Sequence, residues 1–346
     1  MSGTLDIYQK KTTDLLISRN LPGSAGFSST YYNQGSLNNK GVEFSLNAQI
    51  IDSSSWKWSV SGNIGVNRNE ISDLGLLPAD FGCLGERVGY YGNSLGDHFG
   101  VGHIFLAGEA PGLFYGYVTQ GIVQKEDITE NGIKYIKQDG SVGYYQTVNK
   151  TTPVAGDVKY VDRNGDGVVD DNDRDIIGNP NPDFTYGFQT KVSWKSLSLS
   201  ASFNGVQGRD ILNVGNRYNN TPGTKSNNVT RKAFQNMWTD ENPSNLYPKS
   251  TFVVQNMVMD RYVEDGSYLR CSDITLSYVL PAKWTNKIGI KNTSVYASVK
   301  NAFVITDYSG YDPEVNSFAF DGLRPGVDMN SYPTPRSFVF GLNLTF

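Results

Sequence analysis

Twelve residues near the middle of the chain, Asp162 to Asp173, carry the sharpest local chemistry in the sequence, DRNGDGVVDDND. Asp162, Asn164 and Asp166 stand at the first three side-chain ligand positions of a calcium loop, and Gly167 takes its sharp turn. Val168 would offer its carbonyl, and Asp170 and Asp173 fill the last two places. Oxygen donors at this spacing suit a hard cation, and a structural calcium there would brace a long loop. The closing position is Asp instead of the bidentate Glu, which weakens the site, and no helix pair flanks it. The same residues also spell an Asx-rich turn that needs no metal.

Other constellations are poorer. His98 and His103 are the only histidines; no Ser or Cys nucleophile motif surrounds them, and HFGVGH is too glycine-rich for a zinc-binding helix. No catalytic residue is assigned, and the chain is read as a non-enzyme. Tyr90, Tyr91, Phe114, Tyr115, Tyr117 and Tyr144 could stack on sugar rings as substrate-binding residues. More often such residues pack their own loop.

The chain has 346 residues with Tyr 21, Phe 17 and Gly 37, an aromatic and glycine-rich composition that favours β structure. No run approaches the roughly 18 to 20 apolar residues of a spanning helix, which leaves a β-barrel as the membrane option. The net charge of -4 and dispersed Lys and Arg argue against a nucleic-acid partner. Cys83 and Cys271 do not make a disulfide framework. Met1 to Gly3 lead straight into a strand-like run with no signal peptide, so an exported protein would need more chain than this.

Period-two alternation marks eight strands: 4–17, 41–51, 56–67, 184–194, 197–204, 267–280, 295–305 and 337–346. In 337–346, Phe338, Phe340, Leu342, Leu344 and Phe346 share one face, and Ser337, Gly341 and Asn343 share the other. Connections alternate long and short without exception, so the long ones gather at one end. Alternation is lost between about 72 and 182, too long for an ordinary loop and therefore a small domain or a functional excursion. A short helix is expected within 229–238.

A soluble sandwich gives no reason for that segregation, whereas an outer-membrane barrel does, with short periplasmic turns and long extracellular loops. Trp56, Trp58, Trp194 and Trp284 fall at the short-turn end, with Phe346, as an interfacial girdle requires; Trp238 does not. The fold expected is all-β: an antiparallel up-and-down transmembrane β-barrel segment. Competing readings are a soluble all-β domain, an autonomous eight-stranded binding barrel or adhesin, and a secreted calcium-braced carbohydrate-binding module.

Several segments resemble the SusC/RagA family of TonB-dependent outer-membrane transporters. They are GVEFSLNAQI with WKWSVSGNIGVNRNEI, LFYGYVTQGI, GDVKYVDRNGDGVVDDNDRDIIGNPNPDFTYGF, DRYVEDGSYLRCSDITLSYVLP, YSGYDPEV and YPTPRSFVFGLNLTF. The resemblance runs from about Asp6 to Phe346. It implies uptake of oligosaccharides or peptides through a plugged barrel under a SusD-like lipoprotein, energised by TonB, ExbB and ExbD. Signal peptide, plug, TonB-contacting segment and the first part of the barrel are not among these residues. Such a barrel needs about 22 strands, so eight would be its carboxyl-terminal third. An open wall exposes two unpaired edges, so this piece alone is expected neither to insert stably nor to transport.

Overall fold

The computed structural model describes all residues except 21–23, 25, 28, 76–82, 85–86, 97–98, 222–227, 251–256, 286–289, 291 and 346. Eight strands form one antiparallel sheet whose spatial order is their chain order: β1 (Ser2–Thr13), β2 (Ser36–Asp52), β3 (Trp56–Asp73), β4 (Phe184–Trp194), β5 (Leu197–Gln207), β6 (Tyr268–Val279), β7 (Asn292–Thr306) and β8 (Ser337–Thr345). The order starts at β1 and stops at β8, which do not pair with each other among the described residues. The sheet is an open wall, not a closed eight-stranded barrel.

Register carries the alternation across the whole wall. Trp56, Trp194, Leu197, Tyr278, Val295 and Leu342 are successive cross-strand partners from β3 to β8. The next row of that face is Trp58, Val192, Leu199, Leu276, Ala297 and Phe340. Between these two rows, on the opposite face, run Lys57, Ser193, Ser198, Ser277, Tyr296 and Gly341. One face is therefore apolar and exposed, with Phe340 at 79% and Ile7 at 75%, while the other is mostly polar. On the polar face Asp273 holds Lys300 at 2.6 Å and accepts from Ser298 at 2.7 Å and Thr275 at 2.8 Å. Gly341 sits under the Tyr296 ring, where a Cβ would collide with the ring atoms.

Register shifts on both sides of Ser272: β6 has one extra residue there relative to β5, and β7 has one extra relative to β6, between Lys300 and Phe303. The Ser272 bulge moves Cys271 onto the row of Phe203 and Phe303, so the apolar face continues although 271 and 274 differ in parity.

Several boundaries differ from the sequence reading: β3 runs to Asp73 instead of 67, β5 to Gln207 instead of 204, and β7 begins at Asn292 instead of 295. The first strand ends at Thr13 because Asp14 takes a left-handed turn with φ 59. The stretch 20–39, loop by composition, contains part of a hairpin between Leu16–Asn20 and Ser29–Asn33, and β2 starts at Ser36. Polar Asn38, Asn39 and Lys40 hide the alternation there, while backbone pairing to β1 and β3 carries the strand. The expected short helix is Arg231–Asn236, capped by Thr230, whose Oγ1 accepts from the Ala233 N–H at 3.2 Å.

Connections 53–55, 195–196 and 280–291 lie at one end of the wall, and 14–35, 74–183, 208–267 and 307–336 at the other. The last three share one buried core, in which Phe114, Tyr135, Tyr145 and Tyr160 meet Leu212, Val214, Met257, Tyr262 and Val327. The region 72–182 is thus not an independent domain; it folds together with the other long loops. No helix of the described residues is long and apolar enough to cross a membrane, which has no bearing on crossing by strands.

Candidate functional site in the loop body

The loop 162–173 closes on its own backbone. Asp162 is buried, and its two carboxylate oxygens accept from the Gly165 N–H at 2.6 Å and the Gly167 N–H at 2.8 Å. Asn164 accepts from the Asp166 N–H at 2.9 Å, Asp166 from the Val168 N–H at 2.8 Å, and Asp170 from the Asn172 N–H at 2.8 Å. Asp173, fully buried, accepts from the N–H groups of Arg163 at 2.7 Å, Asn164 at 3.3 Å and Asp170 at 2.8 Å. Burial pushes its carboxyl up against the pull of those donors. The residue that would close a calcium loop is thus spent on backbone. Among the described residues no group of three or more His, Cys, Asp or Glu side chains is arranged to hold a metal ion. These side chain to backbone bonds are the turns that organise the loop.

Asp162→Ala is expected to destabilise the loop body by about 1–3 kcal/mol by leaving two N–H groups without acceptors. Thermal melts with EDTA and with calcium separate the two readings of this loop. A calcium-dependent rise in the melting temperature of the parent that Asp162→Ala with Asp166→Ala abolishes would establish the metal, and its absence would remove it.

The candidate substrate aromatics divide. Phe114 and Tyr115 are buried, at 0% and 1% exposed, and cannot face a sugar ring. Phe114 meets His103 edge-on at 5.3 Å, and Tyr115 stacks on Tyr91 at 5.7 Å with the Arg174 guanidinium 4.2 Å above its ring. Tyr117 is buried as well and donates its hydroxyl to Asp171 at 3.0 Å; burial, then the Asp171 charge, pushes that phenol far up. Tyr90 packs edge-on against Phe105 at 6.3 Å. Tyr144 is exposed but stands apart on the strand Val142–Tyr145. Only Tyr91 and Tyr117 share a cavity, of about 480 Å³, with Phe99, Arg174 and Met257. Packing governs the others because these rings are the core of loops that have no aliphatic alternation to build one.

His98 lies outside the described residues. His103 is fully buried, and its Nε2 donates to the Pro325 carbonyl at 2.9 Å, which joins 74–183 to 307–336. Burial pushes its pKa down to about 4. The unfolded chain therefore binds the proton first as pH falls. This contribution to stability is complete above the ordinary histidine range and is lost between about pH 6.5 and 4, at most about 3 kcal/mol. Unfolding followed from pH 7 to pH 4 should show this loss in the parent and a flatter profile in His103→Gln.

The alternation did not expose the junction between wall and loops. Arg270, near the start of β6, places Nη2 2.5 Å from Asp312 Oδ1, and its Nε lies 3.0 Å from Glu314 Oε2 at an angle too poor for a hydrogen bond. Tyr268 donates to Glu314 at 2.6 Å, and Tyr308 donates to Asp328 at 2.7 Å. A charged residue interrupting an otherwise alternating strand was the available signal, and YDPEV supplies its partners.

At the short-turn end, Trp56 and Trp194 lie ring to ring at 5.9 Å, and Trp58 donates its indole N–H to Thr190 at 3.0 Å. Trp284 is exposed in the 280–291 connection. Trp238 is buried in the loop body and donates to Gln124 at 3.0 Å. Phe346 lies outside the described residues.

No family model matches the chain. It is 32% identical over 351 residues to TonB-dependent receptor P26 of Formosa agariphila, covering 99% of this chain and 32% of that protein. To TonB-dependent receptor SusC of Bacteroides thetaiotaomicron it is 32% identical over 356 residues, covering 100% of this chain and 30% of the relative. A structure of the RagAB peptide transporter superposes with a TM-score of 0.70 at 26% identity, over 99% of this chain and 33% of the other. The chain is a homologue of the SusC-type TonB-dependent receptors. Its open wall of eight strands is a segment of that type of barrel. The chain spans about a third of the length of the curated relatives it matches.

Proposed function

We propose that this chain is the carboxyl-terminal third of the barrel of a SusC-type outer-membrane importer, with a transport role and no catalysis. The observation that supports this best is the apolar face that continues from strand to strand across the wall while the other face stays mostly polar and the loops 74–183, 208–267 and 307–336 gather into one body. Lipid would meet the apolar face that carries Phe188, Phe203, Leu276 and Phe340, and the polar face would line the lumen. Trp56, Trp58, Trp194 and Trp284 would mark the periplasmic interface, with the long loops outside the cell.

On this reading a SusD-like surface lipoprotein covers the loops, and TonB, ExbB and ExbD act through segments beyond these 346 residues. The cargo is an oligosaccharide or a peptide: the family resemblance favours the first, and likeness to a transporter described as carrying peptides favours the second. No cofactor is required.

The test begins with the gene. A plug-encoding frame continuous with or directly upstream of this one is expected, and unrelated sequence there would count decisively against the proposal. A strain lacking the locus should lose growth on one class of oligomer while keeping growth on its monomer.

A further inference from the structure

A second cavity, of about 380 Å³, opens in the loop body where Thr119–Ile122, the helices Gly215–Asn220 and Arg231–Asn236, residues 245–248 and Arg261 come together. Its wall holds two cations, Lys232 and Arg261, and no carboxylate. Neither cation takes part in any ion pair among the described residues. Asp260, next in sequence to Arg261, does not line the cavity; it accepts from the Thr119 N–H at 3.0 Å and the Thr119 hydroxyl at 2.6 Å.

Two residues of its wall, Arg261 and Asn245, keep donors without a partner among the described residues. Arg261 gives Nη2 to the Leu246 carbonyl at 2.5 Å, and its buried Nη1 has no hydrogen-bond partner. Asn245 accepts from the Ile122 N–H at 2.7 Å through its oxygen, which leaves its amide N–H groups to donate. A buried guanidinium donor without an acceptor is costly unless a ligand completes it. Planar guanidinium, ammonium and amide donors around one space match a carboxylate, whose two oxygens accept several bonds at once.

We infer that this cavity binds a carboxylate-bearing unit of the imported oligomer, with Arg261 and Lys232 as its charge partners and Asn245 as a neutral donor. The source of the ligand rests on the import reading; the binding chemistry does not. The same carboxylate chemistry could come from an acidic peptide or from a uronic acid sugar.

The whole receptor containing this chain, solubilised in detergent, would be titrated calorimetrically with triglutamate and trigalacturonate. Triglutamine and the neutral galactose trimer serve as counterparts. At least one acidic probe should bind roughly tenfold tighter than its neutral counterpart, weaken as salt rises, and lose roughly tenfold in Arg261→Gln and in Lys232→Gln. The probe that does so identifies the source. Lys232 is exposed on its helix and holds no loop in place, so Lys232→Gln keeps the test readable if Arg261→Gln loosens residue 246. Acidic probes that bind no better than neutral ones, or variants that bind them as the parent does, would overturn the inference. Anion binding without uptake in cells upholds the cavity and counts against the import reading.

Discussion

Asp312→Ala is expected to destabilise the folded receptor by about 3–5 kcal/mol, the largest loss from any single substitution considered for this chain. The side chains of Arg270 and Asp312 are 6% and 4% exposed and lie 2.5 Å apart, so removing the carboxylate leaves a buried guanidinium with Glu314 beside its Nε and no acceptor for its Nη2. The same carboxylate accepts from the N–H groups of Glu314 and Thr334, both at 3.0 Å, and these lose their acceptor too. Burial pushes the Asp312 carboxyl up, yet those N–H donors and the Arg270 charge prevail and hold it below the usual carboxylate range. Its contribution is therefore present above that range and fades as pH falls through it. Replacing both partners together, Arg270→Met with Asp312→Leu, should recover part of the loss, since the buried guanidinium is gone and Glu314, which remains, is about a third exposed and keeps the Tyr268 hydroxyl as donor. Urea unfolding of the three proteins in detergent measures this; a cost below 1 kcal/mol for Asp312→Ala would show that the junction does not depend on the pair.

The second large effect concerns the face of the wall. Phe188, mid-strand in β4, is opposite Gly62 and Phe203 and is exposed on the apolar side. Phe188→Arg should cost about 2–4 kcal/mol in a bilayer, the range for a cation at mid-depth of a lipid-facing strand. Gln189→Arg, one residue on and turned the other way, should cost far less. Equilibrium unfolding of the receptor in lipid vesicles compares them. Equal costs would mean that the two faces see the same medium, and the assignment of lipid and lumen would fall.

The eight strands were legible because period two survives in segments such as 41–51 and 184–194, where one face must be apolar and the other need not be. It was lost where pairing alone carries the strand, as at Asn38 to Lys40, and the Ser272 bulge reversed it locally. The loop body was opaque for a different reason. Its core is built from tyrosines such as Tyr135, Tyr145 and Tyr160, brought together by small sheets and long-range contacts that impose no repeat on the sequence. Spacing showed that 162–173 would turn back on itself, but not that Asp173 would face backbone donors. Arg261 and Lys232 are 29 positions apart in sequence, and only the fold makes them neighbours of one cavity.

Because 74–183, 208–267 and 307–336 share a single core, they form one cooperative unit. Slow hydrogen exchange at Val123, Leu212 and Val327 should therefore show a common opening free energy despite their distance along the chain. Loops joined this way cannot lift one at a time: raising any one of them either breaks the shared core or carries the other two with it, so a force applied at one point is felt across the whole body.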